Sequence, residues 1–83
     1  MRIDDFLSTT GVIKRRTVAK ELAQKRMIAV NGRTVKPAYQ VMVHDIVAIK
    51  GSRAMTVEVL AVPTGSVAKA QREEYFKELT RNL

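Results

Sequence analysis

Asn31-Gly32 stands between two short runs, Met27–Val30 and Arg33–Val35, that are rich in β-branched residues. A two-residue type I′ hairpin needs positive φ at both central positions, and Asn followed by Gly meets that need better than other common pairs. The dipeptide therefore predicts an antiparallel hairpin in the middle of the chain, and the elements on either side must be arranged around it. Lys36-Pro37 ends the returning strand, since proline cannot donate to a sheet ladder.

Charge gathers around that hairpin. Eight of the fifteen Lys and Arg residues lie between Lys14 and Lys36: Lys14, Arg15, Arg16, Lys20, Lys25, Arg26, Arg33 and Lys36. The stretch has one acid, Glu21, so it carries a net +7, and the rest of the chain balances to zero. Charge this concentrated makes a directed positive potential that draws polyanions. Val18, Leu22, Met27, Ile28 and Val30 are interleaved with the cations, which places the charge on a folded surface rather than on a disordered tail. A nucleic-acid-binding module is the reading these features favour.

Before the hairpin, Asp4–Thr10 reads as a short helix that buries Ile3, Phe6 and Leu7 and is ended by Gly11. Asp4 and Asp5 suit the positive end of its dipole. A second helix is expected over Arg15–Lys25, with Val18, Ala19, Leu22 and Ala23 as its buried stripe. After the hairpin come Val41 and Val43, a turn at His44-Asp45, a strand at Ile46–Ile49 and a second hairpin at Lys50–Arg53. A further strand runs from Met55 to Ala61, with Met55, Val57, Val59 and Ala61 alternating with Thr56, Glu58 and Leu60. Pro63-Thr64-Gly65 then punctuates the chain. The spacing of Tyr75, Phe76, Leu79 and Leu83 predicts a helix from about Ser66 to Arg81. The expected class is α+β: two N-terminal helices packed on a small antiparallel sheet, with a C-terminal helix appended. Residues 1–62 would form the binding domain and 63–83 a helical extension.

The chain offers little to catalysis. Its 83 residues leave room for one core and no cleft between lobes, and it has no cysteine. Asp4 and Asp5 are neighbours on a helix and point about 100° apart, so they cannot converge on one substrate atom. His44 is the sole histidine, and one ligand does not make a metal site. Tyr39 can be read as a base-stacking side chain or as cover for the sheet edge, while Tyr75 and Phe76 read as packing residues. With two Tyr and two Phe there is no stacking platform, which favours recognition of folded RNA by shape and phosphate. No nucleophile–base pair, phosphate loop or metal cluster is present, so a non-enzyme without cofactor is expected. The absence of a long apolar run and the acids at Asp4 and Asp5 argue against a membrane span or signal peptide. A soluble, cytoplasmic monomer is the expectation.

Four segments together carry a family resemblance: Met1–Leu7, Arg16–Glu21, Ile28–Gly32 and His44-Asp45-Ile46. In this order and spacing they resemble the RNA-binding domain named after ribosomal small-subunit protein four, the alpha-L RNA-binding motif. That resemblance implies that the two helices and the first hairpin clasp structured RNA, with Arg2 and Arg16 matching recurrent arginines and Lys20 one turn beyond. The run Ile13–Glu21, the chain length and the expected short C-terminal helix resemble the ribosome-associated quality-control factor P family. This implies partners in large-subunit rRNA, in tRNA or peptidyl-tRNA, and in another quality-control factor on an obstructed subunit, in support of tailing of the stalled chain. The related heat-shock protein fifteen family, a recycler of large subunits, is the alternative. A protein adaptor docking through the C-terminal helix is another. The RNA-binding set is thus Arg2, Lys14, Arg15, Arg16, Lys20, Lys25, Arg26, Asn31, Arg33 and Lys36.

The resemblance also marks departures. The family commonly has glycine where Arg26 and His44 stand, and often serine at Arg15 as a helix cap. Arg26 is therefore expected either to take a left-handed conformation or to end its helix differently.

Overall fold

A computed structural model describes residues 1–51 and 54–81. Two helices come first, α1 (Ile3–Thr9) and α2 (Arg16–Gln24). The strands β1 (Ile28–Val30), β2 (Arg33–Thr34), β3 (Ile46–Ile49) and β4 (Met55–Val59) follow, then a 3-10 helix (Lys69–Glu74) and β5 (Phe76–Arg81). All strand pairs are antiparallel, in the order β2-β1-β3-β4-β5.

The α+β class and the first six elements follow the sequence reading. The pairing of Val30 with Arg33 leaves Asn31 and Gly32 as a two-residue loop, with φ of 52° and 86°. That is the type I′ geometry the dipeptide predicts. Val57 and Val59 are fully buried on β4, while Thr56 and Glu58 are only half-buried, as alternation requires. Part of the Lys50–Arg53 hairpin, Ser52 and Arg53, lies outside the described residues.

Ile3, Phe6 and Leu7 of α1, Ala19 and Ala23 of α2, and Ile28, Val47, Ile49, Val57 and Val59 of the sheet make one core. The small Ala19 and Ala23 let α2 lie close, while Leu22 packs at the margin. Val18 does not join the stripe; it is 41% exposed among the cations of α2. No side chain caps α1. Its first free N–H groups instead donate to loop carbonyls, Ile3 to Tyr39 at 2.7 Å and Asp4 to Pro37 at 3.4 Å. The loop after β2 is thereby fastened to the start of the chain.

The expected C-terminal helix does not form. Residues 69–74 make a 3-10 turn and residues 76–81 pair with β4, Val59 opposite Phe76 and Val57 opposite Glu78, with a bulge at Thr56/Val57. The reason is non-local. Without β5, one edge of β4 would leave its backbone groups unpaired, and a short segment gains little from helix propensity alone. Phe76 packs against the core, but Leu79 is 42% exposed, so the apolar spacing that suggests a helix is not used as one face. Leu83 lies outside the described residues.

Candidate nucleic-acid interface

Helix α2 and its two cap residues display four of the eight cations. Arg15, Arg16, Lys20 and Lys25 are exposed, as is Lys14 in the segment before it. Arg15 is the N-cap and makes no side-chain cap bond, consistent with the missing serine. Arg16 Nε meets Asp5 Oδ1 of α1 at 2.9 Å, with the two side chains 58% and 32% exposed. Such a pair contributes only about 0–1 kcal/mol. The pair engages the guanidinium through Nε, and the planar fork of an arginine matches phosphate oxygens.

The C-terminal end of α2 is unusual. Arg26 adopts φ of 61°. Its N–H donates to Ala23 O at 3.1 Å and that of Met27 to Leu22 O at 2.9 Å. These two bonds form a Schellman cap, whose left-handed position is normally glycine. An arginine there costs about 1 kcal/mol relative to glycine. The Lys50 N–H donates to Met27 O at 2.7 Å, which brings Lys50, exposed at the end of β3, beside this cap. The charge count around the first hairpin overlooks Lys50 because it is 24 positions beyond Arg26 in sequence.

The hairpin tip is held from below. Asn31 Nδ2 donates to Asp45 Oδ1 at 3.1 Å, and Asn31 Oδ1 accepts from the Ile46 N–H at 3.0 Å. Asp45 Oδ2 also accepts from the Tyr39 hydroxyl at 3.1 Å and the Met42 N–H at 2.9 Å. Asp45 is 7% exposed, so a buried carboxylate ties hairpin and loop together. Partial desolvation raises the Tyr39 phenol above its ordinary pKa, and its hydrogen bond to Asp45 and the charge of that carboxylate push the same way. Asn31 therefore spends both ends of its amide on the fold. Tyr39 takes the covering role in the loop, its hydroxyl engaged with Asp45. Asp45 is the organiser that the sequence reading assigns only to a turn; it is the one acid between Glu21 and Glu58, and that isolation amid bases is its signal.

Arg2 is partly occupied. Its Nε and Nη2 grip Asp4 at 3.1 and 3.0 Å, with Asp4 fully buried and the Arg2 side chain 38% exposed. Arg33 and Lys36, on and just after β2, are exposed. Among the described residues, Lys14, Arg15, Lys20, Lys25, Arg26, Arg33 and Lys36 make no ion pair. A cleft of about 420 Å³ lies elsewhere, lined by Gly11, Val12, Met55, Phe76 and the acids Glu73 and Glu78, a poor lining for phosphate. No group of three or more metal-ligating side chains occurs among the described residues.

The S4 domain model matches residues 1–47, which span both helices, the hairpin and the Asp45 turn. The chain is 40% identical over 76 residues to the RQC P-site tRNA stabilizing factor of Listeria innocua, covering 90% of this chain and 83% of the relative. This chain belongs to the S4-domain family and, within it, to the RQC P-site tRNA stabilizing factors. A Streptococcus pneumoniae member is 46% identical over 61 residues, covering 72% of this chain and 69% of that one. The fold of these S4 proteins recurs in Vibrio cholerae heat shock protein 15, with a TM-score of 0.85 at 18% identity over 95% of this chain and 81% of the other. The solution structure of HP1423 matches with a TM-score of 0.82 at 25% identity, over 99% and 100%.

Proposed function

We propose that this S4 protein is a non-catalytic RNA-binding factor of bacterial ribosome-associated quality control. It grips large-subunit rRNA and tRNA on obstructed large subunits and so supports tailing of the stalled chain. The observation that carries this reading is the run of exposed cations along α2, its ends and the hairpin, all but Arg16 without an ion-pair partner among the described residues. Unpaired guanidinium and ammonium groups on rigid elements suit phosphate recognition. The names of the curated relatives, stabilizing factors for P-site tRNA, supply the RNA class and the setting. Arg2 and Asn31 enter differently, as residues that shape the surface while Arg2 offers only its remaining N–H groups.

The recycler alternative has the fold of heat shock protein 15 behind it, but 18% identity supports fold and no more. An adaptor docking through a C-terminal helix loses its element, since that segment is β5.

Sedimentation tests the proposal. The tagged protein should travel with large subunits, enriched in tRNA, rather than with small subunits or intact ribosomes. With about five phosphates neutralised, log affinity should fall against log salt with a slope near −4. Arg16→Ala should weaken binding by roughly 1–3 kcal/mol, and Lys69→Ala should change it little. Wild-type protein found chiefly on small subunits, or a flat salt response, would overturn this reading.

A further inference from the structure

Among the described residues, three non-glycine residues hold positive φ: Arg26, Asn31 and His44. Such backbone persists where surrounding contacts over-determine it or where function requires it. Asn31 is locked by its amide bonds to Asp45 and Ile46, and His44 Nδ1 lies 3.3 Å from Glu58 Oε2. The Arg26 backbone is held by its two cap bonds, but its side chain has no such anchor. It is exposed and makes no ion pair or hydrogen bond among the described residues. A helix C-terminus favours a nearby cation, but Lys25 at the C-cap already supplies one, so the dipole does not explain why the left-handed position is not glycine.

The second observation is the approach of β3 to this cap. The Lys50 N–H bond to Met27 O sets Lys50 opposite the residue that follows Arg26. Gly51, at φ of 118°, permits the close fit, since a Cβ there would come within 3.1 Å of Met27 Cε. Two exposed cations from distant parts of the chain thus stand on neighbouring backbone at one end of α2, with Lys25 adjoining. Their side chains face no acid in any contact among the described residues.

We propose that Arg26 and Lys50 form a distinct phosphate-contact point for the RNA backbone at the C-terminal end of α2, and that the strained backbone at Arg26 is retained for this contact. The proposal rests on the RNA-binding reading above and adds Lys50 to its residues. The guanidinium fork takes phosphate oxygens directly, and the lysine adds a point charge beside it.

The test compares Arg26→Gly, Arg26→Lys and Lys50→Gln with wild type and with Arg16→Ala. Thermal melting is measured alongside binding to purified large ribosomal subunits over a range of potassium chloride. Arg26→Gly should raise the melting midpoint by about 2–6 °C, because glycine suits the cap. It should still weaken binding about 5- to 50-fold and make the log–log salt slope shallower by about one. Lys50→Gln should leave the midpoint unchanged and lower the slope by a similar amount, while Arg26→Lys should bind within about 3-fold of wild type. An Arg26→Gly protein that binds as tightly as wild type would overturn the proposal. So would a lowered midpoint, which would show that the arginine is held by contacts within the fold. If wild type itself fails to bind while remaining folded, the RNA-binding reading is what fails. If wild type binds and Arg16→Ala weakens it while the Arg26 and Lys50 variants do not, only this contact point is lost.

Discussion

The corner around Asp4 and the corner around Asp45 each hold a carboxylate shut away from solvent, but they are satisfied differently. Asp4 accepts two bonds from the Arg2 guanidinium and one from the Asp5 N–H at 2.8 Å. Asp45 accepts from an amide, a phenol and a backbone N–H, all neutral. In the first corner a charge meets an opposite charge, and the product is an arginine fixed half in and half out of solvent. In the second a charge is stabilised by dipoles alone, and the product is a hairpin tip fastened to the loop that follows it. One corner orients a cation; the other orients a backbone.

That contrast can be broken by removing each carboxylate. Asp45→Ala removes the shared acceptor of three donors at once, from Asn31, Tyr39 and the Met42 N–H, and so unties the hairpin tip from the loop. A stability loss of about 2–4 kcal/mol is expected by urea denaturation. RNA affinity should fall too, because Arg33 rides on the freed hairpin. Asp4→Ala should cost less, about 1–3 kcal/mol, since the Arg2 side chain is already 38% exposed and its released guanidinium can turn to water. Should Asp4→Ala prove the more damaging, the ion pair would outweigh the dipolar cluster and the comparison would be reversed.

A titration sharpens the Asp45 corner, with the smallest effect of the three. The Tyr39 phenol is raised in the folded protein, so the folded state holds its proton longer than the unfolded chain does. The contribution is complete below the ordinary phenol value near 10 and is lost as pH rises through the higher folded value. Denaturation followed from about pH 9 to 11 should show wild type losing stability faster than Tyr39→Phe, which lacks the titrating hydroxyl. Parallel pH profiles would remove Tyr39 from the cluster's energetics.

Much of the architecture is legible locally. The Asn31-Gly32 pair specifies a turn because its φ requirements are met within two residues. The family pattern has glycine where Arg26 and His44 stand, and both residues have positive φ in the structure. The cation cluster is a matter of counting, and the structure leaves Lys14 to Lys36 exposed at every one of the eight basic positions. What escaped local reading is pairwise and distant. The spacing of Tyr75, Phe76 and Leu79 suits a helix, but whether a segment becomes helix or strand depends on which partner waits for it. The waiting partner is the edge of β4. Val18 likewise fits the apolar stripe by spacing, and only the packing of α2 against α1 and the sheet turns it outward.

The hairpin, both N-terminal helices, the alternation of β4 and the concentration of positive charge on one segment are all set by local residue choices. Each of these depends on φ preferences, periodicity or charge, properties carried by residues within a few positions of one another. Long-range packing settles that the last segment is a fifth strand, that Asp45 anchors the hairpin tip, that Arg2 is bound to Asp4, and that Lys50 is bonded to Met27 at the end of α2. These depend on which backbone edge is left unpaired and which donors are left buried, and those needs arise only once distant elements have packed.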